Sequence, residues 1–234
     1  MAWQIIRTSL NFIINNFAVA LRVTILPYTA YFAFLLVVDT SEFAQQSRFS
    51  SLAGVLAALF FGAWMAVGWH RYILIGDTPK SWIPGLHRQI LRGYMVKLFL
   101  LAVVLIFSAV PFILFAFSFM QSVPIITNLS FVLIPFVVGL FFFRFGLVLP
   151  ATALDQPLSF GKSWRATQEI NGAVLVAIVF VTVFNGVLAS IGAAMPFGPV
   201  SILWAFAAGW VQAMLGLSIL TTLYGHLIEK RDLY

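Results

Sequence analysis

Six apolar stretches, at about 23–38, 51–69, 98–119, 126–149, 173–194 and 202–224, carry no Lys, Arg, Asp or Glu near their middles; Arg144 lies close to an end of the fourth. An Arg or Lys at the centre of a bilayer costs about 2.5–3.5 kcal/mol to insert, against about −0.3 to −0.6 kcal/mol for each Leu, Ile, Phe or Val. Such clean runs insert readily, and a span needs ~20 apolar residues. A water-soluble alternative fails on surface chemistry. Soluble domains are about 25% charged, whereas only 9% of this chain is charged and 62% is hydrophobic. The first stretch is short and contains Pro27, so it is expected to continue from the helix before it.

The charges then orient the spans. Twelve of the thirteen Lys and Arg residues fall in the N-terminus, the second and fourth connections and the tail: Arg7, Arg22, Arg71, Lys80, Arg88, Arg92, Lys97, Arg144, Lys162, Arg165, Lys230 and Arg231. Only Arg48 falls in an odd-numbered connection, beside Asp39 and Glu42. By the positive-inside rule both termini are cytoplasmic. The competing reading has five spans with the first apolar run lying in the interface; it puts one terminus outside and breaks the charge pattern. Arg7 is followed by Asn11, Asn15 and Asn16, which interrupt the apolar core that a signal peptide needs. Residues 1–20 are therefore expected in the mature protein.

The cytoplasmic connections have a pattern of their own. Trp3, Ile6, Leu10, Ile13, Ile14 and Phe17 recur at helical spacing, with Gln4, Arg7, Thr8, Asn11 and Asn15 on another face. That period predicts an amphipathic interfacial helix over 3–20. Residues 81–95 and 158–171 read as shorter versions. Trp3, Trp69, Tyr72, Trp82, Tyr94, Trp164 and Tyr224 all map near one membrane face, the depth that amphipathic rings favour. Three units, each an interfacial helix and a two-helix hairpin, suggest a parallel repeat in which Arg71 matches Arg144. Hairpins that obey the positive-inside rule place basic residues at such equivalent sites anyway.

Candidate chemistry is sparse. The chain has no cysteine, which removes disulfides, thiolate metal sites and a cysteine nucleophile. His70, His87 and His226 lack the paired helical spacing of a metal site, and no span carries a carboxylate of the kind that proton-coupled transporters use. No metal, cofactor or catalytic constellation is expected. Two polar residues fall deep, Asn185 in the fifth span and Gln212 in the sixth. At similar depth in an antiparallel hairpin they could bond to each other, worth about 0.6 kcal/mol, or line a polar path. Gly54, Ala58, Gly62 and Ala66, and likewise Ser201, Ala205, Gly209 and Ala213, recur every four residues, the spacing of close helix packing. Arg71, Arg88 and Arg92, with Arg144, Lys162 and Arg165, are candidates for lipid phosphates, each surface charge contributing about 1 kcal/mol. The plainer role for the same cations is to set topology. A pI near 10 would suggest nucleic acid in a soluble protein; here anionic headgroups are the expected partner and nucleic acid is not.

The strings Trp69–Gly76 (WHRYILIG) and Arg144–Ala151 (RFGLVLPA), followed by Ser163–Thr167 (SWRAT), resemble those of bacterial inner-membrane proteins of uncharacterised function. They are also similar to the six-helix membrane region beside some glycerophosphodiester phosphodiesterase domains. The resemblance spans most of the chain. It implies six helices with long amphipathic cytoplasmic connections and transfers no catalytic residue, because the phosphodiesterase chemistry belongs to a separate domain. The expectation is a single all-α domain over 1–234: a polytopic bundle of six transmembrane helices in a bacterial inner membrane, with amphipathic helices on the cytoplasmic side. The expected role is a non-catalytic membrane component that packs with lipids, other subunits or itself. A facilitator of a small or amphipathic solute is the alternative, and a lipid-acting enzyme using His70, Arg71 and Arg144 ranks third.

Overall fold

Every apolar stretch becomes a helix in the computed structural model, which describes residues 1–40, 48–79, 85–119 and 124–233. The described residues are largely helical, and no strand occurs among them. The helices run α1 (Ala2–Asn15), α2 (Phe17–Thr40), α3 (Arg48–Ile75), α4 (Arg88–Phe119), α5 (Pro124–Phe145), α6 (Val148–Ala153), α7 (Phe160–Gln168), α8 (Asn171–Ala193) and α9 (Pro199–Leu227). Five of them hold stretches long and apolar enough to cross a membrane: Phe17–Val38, Leu52–Ile75, Arg88–Phe115, Asn171–Ala193 and Pro199–Leu227. Within α5 the shorter apolar stretch Leu133–Phe145 stands out. This is the composition of a multi-pass membrane protein. Pro27, Pro111 and Pro135 lie inside α2, α4 and α5; packed membrane helices tolerate such breaks because neighbouring groups satisfy the freed backbone.

The boundaries correct the sequence reading in three places. The expected interfacial helix over 3–20 divides at Asn16, whose carboxamide donates to Phe12 O (2.9 Å) and accepts from the Tyr72 hydroxyl (2.7 Å). Residues 17–20 therefore open the first long helix. The interfacial segment expected over 81–95 enters α4 from Arg88 onward, because nothing between 88 and Pro111 breaks the helix; residues 80–84, with Lys80 and Trp82, lie outside the described residues. The fourth stretch, expected to reach 149, stops at Phe145 and restarts as α6. At that break a Cβ on Gly146 would strike the Phe142 carbonyl and lie 2.7 Å from Leu220 Cδ2. Only a glycine lets α9 come this close. The α7 helix forms over the expected 158–171 segment, with Ser159 Oγ accepting from Lys162 N (3.3 Å) as its N-cap.

The long helices pack as consecutive hairpins, α2 on α3, α4 on α5 and α8 on α9, with α9 also against α1, α3 and α6. Burial is lopsided along these helices. In α8 the buried residues are Ala173, Val174, Ala177 and Ile178, all in its first two turns. In α9 they begin at Trp210 and run to Leu227. The core therefore sits at the end where α3, α5 and α9 finish, and the α8–α9 turn projects away from it.

Candidate functional site

The close-packed end is built from polar side chains that the helix ends bring together. Thr221 Oγ1 donates to Leu217 O (2.7 Å), so its lone pairs are free to accept from His70 Nδ1 (2.8 Å). That assignment leaves His70 Nε2 to accept from the Tyr94 hydroxyl (3.2 Å). One residue earlier, Trp69 Nε1 donates to Ser218 Oγ (3.1 Å). The Tyr224 hydroxyl donates to Gln156 Oε1 (3.0 Å), and the Ser9 and Thr222 hydroxyls lie 2.8 Å apart. Trp69, His70, Tyr94, Ser9 and Thr221 are all buried. An unpaired polar group at such a depth would cost several kcal/mol in a lipid setting, and these groups satisfy one another.

Burial adds to the expected aromatic belt. Trp69, Tyr94 and Tyr224 are core residues with hydrogen-bond partners, while Trp3 and Phe17 are exposed. It also changes the character of α1. The expected polar face is not solvated at Thr8, which is buried with Ser9, Ile5 and Ile6. The helix is wedged against α8 and α9, and Trp3, Ile14 and Phe17 look outward.

The candidate headgroup cations divide into two groups. Arg71 and Arg144 turn inward. Arg71 Nε meets Asp77 Oδ2 at 2.8 Å and its Nη1 donates to Ala153 O at 3.2 Å, joining α3 to the end of α6. Arg144 donates to Thr167 Oγ1 (3.5 Å) and to Asn171 Oδ1, and its guanidinium lies 5.2 Å over the Trp164 ring. Its Nε is buried with no hydrogen-bond partner among the described residues, and Ser163 Oγ donates back to its carbonyl at 2.7 Å. Arg88, Arg92, Lys162 and Arg165 are exposed. Both inward arginines sit near a helix C-terminus, where cations meet unsatisfied carbonyls.

The deep polar pair does not meet. No hydrogen bond joins Asn185 to Gln212 among the described residues, and Asn185 Oδ1 is buried without a partner. Nearby, Trp204 Nε1 donates to Leu188 O (3.2 Å). Gln212 instead borders two cavities. One, of about 240 Å³, also meets Gly192, Trp204, Ala205 and Gly209. The other, of about 300 Å³ and mostly apolar, meets Gly62, Ala66, Ala213 and Tyr94. The small-residue stripes thus do not uniformly press helices together. A Cβ on Gly54 or Gly62 would meet nothing within 4 Å, whereas Gly209 seats the Tyr28 hydroxyl. Ser201 bonds its own helix start, donating to Gly198 O (2.8 Å); Ala58 is half-buried and Ala205 exposed.

A third cavity, of about 330 Å³, opens between α1, the end of α3 and the C-terminal tail. Sequence reasoning missed it, because Thr8, Thr222 and Lys230 are brought together only by the fold. Among the described residues no three His, Cys, Asp or Glu gather as a metal site would need. Comparison with protein-family models, with curated proteins and with solved structures finds no match for this chain.

Proposed function

We propose that this chain is a six-span inner-membrane protein of bacterial type, with both termini cytoplasmic, and that it works without catalysis by holding lipids or other membrane subunits at its surface. The observation that carries the reading is the contrast between a hydrogen-bonded interior end and an apolar exterior. Phe107 is 73% exposed and Leu203 69%, and so large an apolar surface needs lipid or protein against it. α5 has 22 residues, or about 33 Å of helix, enough for a sixth crossing. The inward His70 is engaged on both ring nitrogens by uncharged hydroxyls, an arrangement that suits structure better than turnover. The resemblance to the membrane regions beside glycerophosphodiester phosphodiesterase domains belongs to the same proposal. Native mass spectrometry of the protein released from nanodiscs tests it. Retained lipid or a co-purifying membrane subunit is expected; a bare chain under the mildest release conditions overturns it.

One observation favours a facilitator as a second reading: a mostly apolar groove of about 300 Å³, open to the surface, has the polar Gln212 on its wall. In proteoliposomes, Gln212→Leu would then slow the flux of a small amphipathic solute. Equal flux with and without protein removes this reading.

A further inference from the structure

The C-terminal tail turns back on the bundle as soon as α9 ends. Glu229 N donates to Tyr224 O (3.3 Å), Arg231 N to Gly225 O (2.9 Å), and His226 Nδ1 to Arg231 O (2.9 Å). The Arg231 guanidinium reaches across to Leu74 O at the end of α3, and its Nε pairs with Glu229 Oε2 at 2.7 Å. This return forces Lys230 to φ +58°, a left-handed conformation that a residue with a Cβ rarely adopts without compensation. The result is a fixed strap across the mouth of the 330 Å³ cavity.

Two opposite charges on that strap are left over. Lys230 and Asp232 both line the cavity, yet neither makes a hydrogen bond or ion pair among the described residues, with each other or with anything else. Arg231 between them is already occupied. Below them the floor carries the buried Thr8 and Thr222. Phe12 of α1, with Ile73, Leu74 and Leu233, adds an apolar wall. With the lining Arg231 tied to Glu229 and to Leu74 O, the cavity offers one uncommitted cation, one anion, a hydroxyl floor and apolar walls, which complement a zwitterion attached to hydrocarbon. A purely anionic headgroup would meet Lys230 but be repelled by Asp232.

We propose that this cavity binds the headgroup of a zwitterionic phospholipid, its phosphate toward Lys230 and its primary ammonium toward Asp232. The proposal rests on the lipid-holding reading above and gives it a headgroup class and an address that none of the six basic candidates supplies. The test is lipid retention by native mass spectrometry. The protein is released from nanodiscs containing equal parts of phosphatidylethanolamine, phosphatidylglycerol and phosphatidylcholine. Phosphatidylethanolamine is expected to be enriched. Lys230→Gln should reduce retention of all three lipids about fivefold, the effect of one surface charge on the phosphate they share. Asp232→Asn should reduce the enrichment of phosphatidylethanolamine by a like factor while raising retention of phosphatidylglycerol. Both side chains are exposed, and thermal midpoints without added lipid check that the variants fold. Equal retention of the three lipids, or variants that behave as the parent, overturns the site but leaves the lipid-holding role intact. A parent chain that retains no lipid defeats both. Soluble phosphoethanolamine that stabilises the parent as well as the lipid does would make the ligand a free metabolite and overturn the lipid assignment.

Discussion

The two ends of this bundle are held by different physics. At one end, helix termini converge and hydroxyl, indole, imidazole and phenol groups bond across helices: Trp69 to Ser218, His70 to Thr221 and Tyr94, Tyr224 to Gln156. At the other, the outer halves of α8 and α9 carry Val183, Val187, Ile191, Val200 and Leu203 exposed, joined chiefly by the reach of Trp204 to Leu188 O. Inside a membrane, apolar surface gains little by leaving lipid for protein, because both are hydrocarbon. Stability must then come from interdigitated packing and from polar groups that have nowhere else to bond. The first end has both, and the second has neither in quantity.

Substitution at the bonded end should therefore cost far more than an equally large change at the open end. The largest expected effect is Trp69→Ala. It empties a fully buried ring site and leaves the Ser218 hydroxyl without its donor, so a loss of about 3–5 kcal/mol is expected, read as a lower unfolding midpoint in detergent. An effect under ~1 kcal/mol would mean that the two ends are equally tolerant. Gly146→Ala comes next. Its Cβ meets backbone at Phe142 and the Leu220 side chain, and forced overpacking costs about 1–3 kcal/mol. The same change at Gly54, where a Cβ meets nothing, should leave the midpoint unmoved.

The difference between the ends also marks what was legible in the sequence. Long apolar runs and the absence of charge within them announced the helices, because insertion energetics act residue by residue. The joints were not announced. Asn16 breaks the first helix through a bond to Tyr72, 56 positions away. Gly76, at φ +70°, ends α3 by donating to Tyr72 O, six residues after hydropathy had stopped. Tyr94 and Tyr224 read as belt residues because hydropathy cannot tell a ring at the membrane surface from one buried beside a hydrogen-bond partner. Arg71 and Arg144 looked equally free for lipid phosphate. Their inward turn depends on Ala153 O, at the end of the short α6, and on Asn171, at the very start of α8, where periodicity says least. The tail cavity combines residues 8 and 230, and no local pattern relates them.

A smaller and finer prediction separates bonding from packing at the close-packed end itself. The Ser9 and Thr222 hydroxyls lie 2.8 Å apart and fasten α1 to α9. Ser9→Ala and Thr222→Val remove one partner each, and the double variant removes both. In a membrane protein such a pair is worth about 0.6 kcal/mol on average and ~1.7 at most, since both hydroxyls have fallback acceptors in their own helices. Those acceptors are within reach here, Ile5 O at 2.7 Å from Ser9 Oγ and Ser218 O at 2.9 Å from Thr222 Oγ1; each hydroxyl has one proton, so the one that donates across gives up its own backbone bond. The coupling energy from the double-mutant cycle should consequently fall at the low end. A value above ~1.7 kcal/mol would show that the wedge of α1 depends on this one contact. A value near zero would assign its docking to the packing of Ile5 and Ile6, which are buried completely or nearly so.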